Sequence, residues 1–229
     1  MIRKLLIFIT MLVITLIGVI VFKNLKYYGI SLLLAIANCV LFYYKYEKKH
    51  PPTREIVLIA VMVTSCVLSR MLFIITPNFK PMYALIMIYG ISFGSETGFI
   101  CGSLSAFISN FIFGQGPWTP FQMIACALIG YIAGIFEKPL SKSKSFQIFF
   151  GIVTAFFYSA ILDFYASISL EMVFNLKRYL VTLMASLPTT IVYAIANVIF
   201  LLGLIPILKP KFYRVKIKYG LYEGEYLDD

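Results

Sequence analysis

Eight apolar runs, parted by short polar stretches, constrain this chain more than any motif: residues 5–22, 27–44, 55–75, 82–93, 98–113, 119–136, 146–170 and 179–208. A helix needs about 20 such residues to cross a bilayer. In hydrocarbon, only helices and closed barrels satisfy their own backbone polar groups. Runs this long, without period-two alternation, predict an all-α polytopic membrane helix bundle. The run at 82–93 is short, so it spans part way or borrows its flanks. Composition agrees, since 61% of the residues are hydrophobic and 13% charged, against about one quarter charged in a soluble domain.

A polar linker holding His50, Pro51 and Pro52 cuts off the first two runs. The organisation expected is an N-terminal transmembrane hairpin with a basic linker (1–54), a six-helix core (55–208) and a cytoplasmic tail (209–229). Arg3 and Lys4 precede the first run and Lys23 follows it without a small-residue cleavage site, so it reads as a retained helix and not a cleaved signal. The net charge of +10 does not indicate nucleic acid, because the basic residues cluster at the ends of the runs. With the N-terminus inside, only Lys23, Lys26, Lys80, Lys177 and Arg178 fall outside. The positive-inside rule therefore puts both termini in the cytoplasm of a multi-pass protein. Cys39, Cys66, Cys101 and Cys126 all lie in apolar runs and read as packing residues.

Two charges sit deep in their spans. Arg70 lies roughly 7–8 Å, and Asp163 roughly 10 Å, below the outer ends of their helices at about 1.5 Å per residue. Such charges face the bundle interior, pair, or line a site. An Arg70–Asp163 pair, or two poles of one ligand site, is the expectation, against Arg70 reaching the headgroups alone. Nearby outer ends carry Asn78, Asn110, Gln115, Trp118, Tyr165 and Asn175, amides and aromatics suited to a flat, neutral or mixed ligand. The stretch Gly114-Gln115-Gly116-Pro117-Trp118-Thr119-Pro120-Phe121-Gln122 runs from a turn into a helix. Thr119 with Gln122 has capping-box spacing. Asn197 reads as an interhelical hydrogen bond and Pro188 as a kink. Gly130 with Gly134, Gly94-Gly98-Gly102-Ala106, and Ala60 with Thr64 make small-residue faces for close helix contact or for a membrane partner. No Gly-x-x-x-x-Gly-Lys-Ser/Thr loop, zinc motif or nucleophile elbow is present, so neither an enzyme nor a self-contained ATP-driven pump is expected. No cofactor or metal is expected.

The run from Arg70 through Pro77-Asn78-Phe79-Lys80-Pro81, Gly94, Gly98 and Gly102 to the Gly-Gln-Gly-Pro-Trp-Thr-Pro stretch resembles the substrate-binding S components of energy-coupling-factor (ECF) transporters. The likeness spans the six-helix core, and that last stretch is similar to members assigned to cobalamin uptake. The resemblance implies vitamin capture under outer loops 76–81, 113–118 and 171–178, and toppling in the membrane to release the vitamin inward. It also implies a membrane T subunit and two ABC-type ATPases as partners. Docking to the T subunit in that family uses Ala-xxx-Ala on the first core helix, where this chain has Ala60-xxx-Thr64. Riboflavin, thiamin or folate is the alternative ligand, and a self-sufficient secondary carrier or channel the alternative function.

Overall fold

A computed structural model describes residues 52–169 and 174–221, with the isolated positions 36, 39, 40 and 43. The expected N-terminal hairpin otherwise lies outside the described residues. Within them the chain folds into seven helices: α1 (Thr53–Leu72), α2 (Met82–Phe93), α3 (Ser95–Phe113), α4 (Thr119–Ile135), α5 (Glu137–Lys142), α6 (Lys144–Ser169) and α7 (Leu176–Tyr219). Four of these, α1, α3, α6 and α7, are long and apolar enough to cross a membrane, while α2 and α4 are apolar but shorter. The polytopic helical bundle is as expected. Val57, Val61 and Leu72 of α1 and Val181 and Met184 of α7 point outward, which suits a lipid surface.

The short run forms the centre of the bundle. All of α2 except Tyr83, Leu85 and Ser92 is buried, as expected of a helix apolar all round. It packs against α1, α3, α4 and α7. Gly94 reverses the chain between α2 and α3 at φ 97°, a conformation that glycine alone adopts without strain. It therefore stands outside the smooth face expected of it. Gly98 and Gly102 do belong to that face, and α4 covers it. A β-carbon on Gly98 would come within 2.4 Å of the Gly130 carbonyl oxygen, and one on Gly102 within 2.3 Å of that of Cys126. A β-carbon on Gly90 would meet the Gly130 oxygen at 2.2 Å, and one on Gly134 would meet Ser95 Cα at 2.4 Å. The glycine faces are thus internal packing, with backbone against backbone where α2, α3 and α4 cross.

Helices α6 and α7 pair through a polar seam. Asn197 Nδ2 donates to the Gly151 carbonyl at 3.2 Å, Thr190 donates to Ser159 at 2.7 Å, and Tyr179 donates to the Ala160 carbonyl at 3.2 Å. The bond expected of Asn197 is therefore present. Pro188, Pro206 and Pro210 all lie within the continuous α7.

Residues 209–219 of the expected tail continue α7, which runs on to Tyr219. Phe212 packs against Tyr89 and Phe93 at centroid distances of 5.5 and 5.4 Å. Lys209 bonds to Ser141 and lies 3.7 Å from Glu137. Arg54 donates to the Tyr219 carbonyl at 3.3 Å. Gly220 then ends the helix in the left-handed region at φ 56°, a common helix terminator. All four cysteines are buried and free.

Candidate functional site

The loops 73–81 and 114–118 lie at one end of the bundle, with the C-terminal end of α6 and the N-terminal end of α7. Arg70, in the last turn of α1, anchors this end. Its Nη1 donates to Ser109 Oγ at 2.6 Å and to Asn110 Oδ1 at 2.9 Å, and its Cζ stands 4.3 Å from the Phe113 ring centroid. Ser109, Asn110 and Phe113 sit within one turn of α3 and face α1 because those two helices pack together.

The expected Arg70–Asp163 pair does not form. Asp163 lies on α6 and turns to α7, where its Oδ2 accepts from Ser186 at 2.5 Å. Depth along a helix matched the two charges, but their azimuths send them to different neighbours.

Asn110 is the hub of the site and is 1% exposed. Its Nδ2 donates to Gln122 Oε1 at 2.6 Å and to Thr119 Oγ1 at 3.1 Å. Thr119 in turn donates to Gln115 Oε1 at 2.9 Å and accepts from the Gly116 amide at 3.2 Å. Gln115 Nε2 reaches the Phe107 carbonyl at 3.0 Å. Both side-chain N–H groups of Asn110 and all three capacities of the Thr119 hydroxyl are therefore used. A fully satisfied buried network of this kind holds its members in one geometry.

The capping box expected of Thr119 and Gln122 is absent. Trp118 occupies the cap position in a helical conformation, and no side chain caps the helix. Thr119 and Gln122 are drawn instead to Asn110, a tertiary partner that outcompetes the local bond. Trp118 folds back on its own turn and is 38% exposed. A β-carbon on Gly116 would meet the indole at 2.3 Å, so the ring packs directly over the glycine and a larger residue there would displace it.

Loop 73–81 tucks against α7. Asn78 is the one described non-glycine residue at positive φ (63°), and its Oδ1 accepts from the Tyr193 hydroxyl at 3.0 Å. Tyr193, Tyr83 and Tyr158 form a triangle with centroid distances of 5.5, 4.7 and 5.5 Å. Phe73 and Phe79 meet Phe200 at 5.5 and 5.3 Å. Lys80 Nζ lies 5.2 Å from the same Phe113 ring that Arg70 covers. Burial first, and the Arg70 charge second, hold the Lys80 pKa below the usual lysine value. Tyr165 packs against Phe121 with the rings tilted by 43° and their centroids 5.0 Å apart. Asn175 caps α7, accepting from the amides of Lys177 and Arg178.

Of the residues picked from sequence, Arg70, Asn110, Gln115, Thr119 and Gln122 form one connected network. Asn78 stands apart with the tyrosines, and Asp163, Tyr165 and Trp118 belong to other contacts. Lys80, Ser109, Phe113, Tyr83, Tyr158 and Tyr193 were missed. Tyrosines inside apolar runs were a usable signal, because a buried hydroxyl needs a partner.

A separate groove of about 490 Å³ runs between α1 and α3, lined by Ile56, Ala60, Thr64, Leu68 and other apolar side chains. The Thr64 hydroxyl donates to the Ala60 carbonyl at 2.8 Å within its own helix. That bond satisfies the one hydroxyl among the residues that line the groove, so the groove presents an apolar surface despite the threonine.

A family model described as ECF-type riboflavin transporter, S component, matches residues 52–210. No curated protein and no solved structure matches the chain.

Proposed function

The chain belongs to the family of ECF-type riboflavin transporter S components, and from that membership we propose that it captures riboflavin at the three-loop end and hands it to partners that supply the work. The match of the whole six-helix core to that family carries this reading. In it the three-loop end faces outward and both termini are cytoplasmic. Riboflavin is favoured over the cobalamin suggested by the Gly-Gln-Gly-Pro-Trp-Thr-Pro stretch, because the family description names it. A flat ring system also suits the tyrosine triangle and the aromatic lining of loop 73–81.

Asn78, Gln115 and Trp118 are assigned to the ligand at the loops, with Arg70, Asn110, Thr119 and Gln122 fixing the wall behind them. Asp163 and Tyr165 line the α6 side. The partners assigned are a membrane T subunit and two ABC-type ATPases. Ala60 and Thr64 form the docking face, since the groove beside them is apolar and its hydroxyl is already satisfied. The chain itself carries no phosphate-binding loop, so ATP energy enters through those subunits.

Reconstitution separates this reading from a self-sufficient carrier. Alone in liposomes, the chain is expected to bind riboflavin without accumulating it, and accumulation should appear only with the T subunit, the ATPases and ATP. Flux through the chain alone under an ion gradient would overturn the proposal.

A further inference from the structure

Arg70 and Lys80 place two cations around one Phe113 ring, at 4.3 and 5.2 Å from its centroid. Neither has a carboxylate partner among the described residues. Both are partly exposed. Ser109 and Asn110 take the two protons of Arg70 Nη1, which fixes the guanidinium plane. Its Nε and Nη2 protons have no hydrogen-bonded partner among the described residues. A guanidinium held on one edge and open on the other is built for bidentate capture of an oxyanion. The two like charges repel each other, and an anion that joins them relieves that repulsion.

We infer that Arg70 and Lys80 form an anion-accepting subsite at the mouth of the flavin site, and that this chain takes the phosphate monoester of riboflavin in preference to riboflavin itself. The inference rests on the flavin reading above. A phosphate monoester carries about −1.5 to −2 charge at pH 7 and three acceptor oxygens. It can therefore meet the open guanidinium edge and the ammonium together, whereas the neutral ribityl chain meets them with hydroxyls alone.

Equilibrium dialysis of the purified chain in neutral detergent, with riboflavin and with riboflavin 5′-phosphate, tests this. The phosphate is expected to bind about tenfold more tightly, the gain of one charge-assisted contact. Lys80→Gln should lower the ratio severalfold, the Arg70 edge remaining, and Lys80→Arg should keep it. Equal affinities in the wild-type chain, or a ratio that survives Lys80→Gln, would overturn the subsite and leave flavin capture standing. Binding of neither flavin would overturn both. The measurement is repeated in nanodiscs containing phosphatidylglycerol, where the preference should persist. Its loss there alone would assign the two cations to lipid headgroup phosphates and overturn the ligand assignment.

Discussion

Gly98→Ala and Gly130→Ala are each expected to lose most of the folded protein. The added methyl at Gly98 would stand 2.4 Å from the Gly130 carbonyl oxygen, and the one at Gly130 would stand 2.2 Å from the Gly98 oxygen. Both obstacles are backbone, so no side chain can rotate away, and the α2–α3–α4 crossing must open. Overpacking a core ordinarily costs 1–3 kcal/mol; here about 3 kcal/mol or more is expected, because relief requires moving a whole helix. For a chain of this size that lowers the thermal midpoint by about 10 °C. The check is thermal unfolding in detergent, with size-exclusion chromatography for monodispersity. Gly203→Ala is the control, since a β-carbon there has no neighbour within 4 Å, and no loss is expected. Wild-type midpoints in both crossing variants would show that the helices are not held at backbone contact.

Asn110→Ala should produce the second large effect, on ligand affinity as well as stability. It removes the Oδ1 acceptor of Arg70 and the donors to Thr119 and Gln122. Each buried polar group left unpaired costs about 1–3 kcal/mol, so a net loss of about 2–3 kcal/mol is expected. Thr119 also closes the 114–118 turn through the Gly116 amide and Gln115. Freed of Asn110, that turn and the Arg70 side chain lose their fixed positions, and the ligand must pay to order them. Riboflavin affinity is expected to fall by about tenfold or more, since each immobilised side chain costs about 0.5–1.5 kcal/mol. Flavin fluorescence titration reads this directly. A folded Asn110→Ala variant with wild-type affinity would separate the network from the binding site.

What was legible in the sequence follows from what a bilayer demands. Apolar run length located six apolar helices, four of them long enough to cross a membrane, and the short run at 82–93 proved to be the buried centre, since a helix apolar on every side has no face to show to water. Small residues at four-residue spacing announced close helix contacts, but not which helix would answer. Gly130 meets Gly90 and Gly98 from two different helices, which requires the tertiary arrangement. The same gap explains Arg70 and Asp163. Spacing gives depth along a helix; only packing gives the neighbour, and α1 turns Arg70 to Ser109 and Asn110. Local motifs misled where a distant group bound more strongly, as with Thr119 and Gln122. Nothing local to the basic stretch after residue 208 announces its contact with α2, because Phe212, the residue that makes it, gives no sign of its partner.

Mass spectrometry of the small molecule that co-purifies with the chain, after expression in cells supplied with mixed B vitamins, bears most directly on the account as a whole. A flavin, bound at one molecule per chain and retained without T subunit or ATPases, is the expected result. A corrinoid in its place, or a chain that retains no vitamin and takes up none when riboflavin is added, would contradict it.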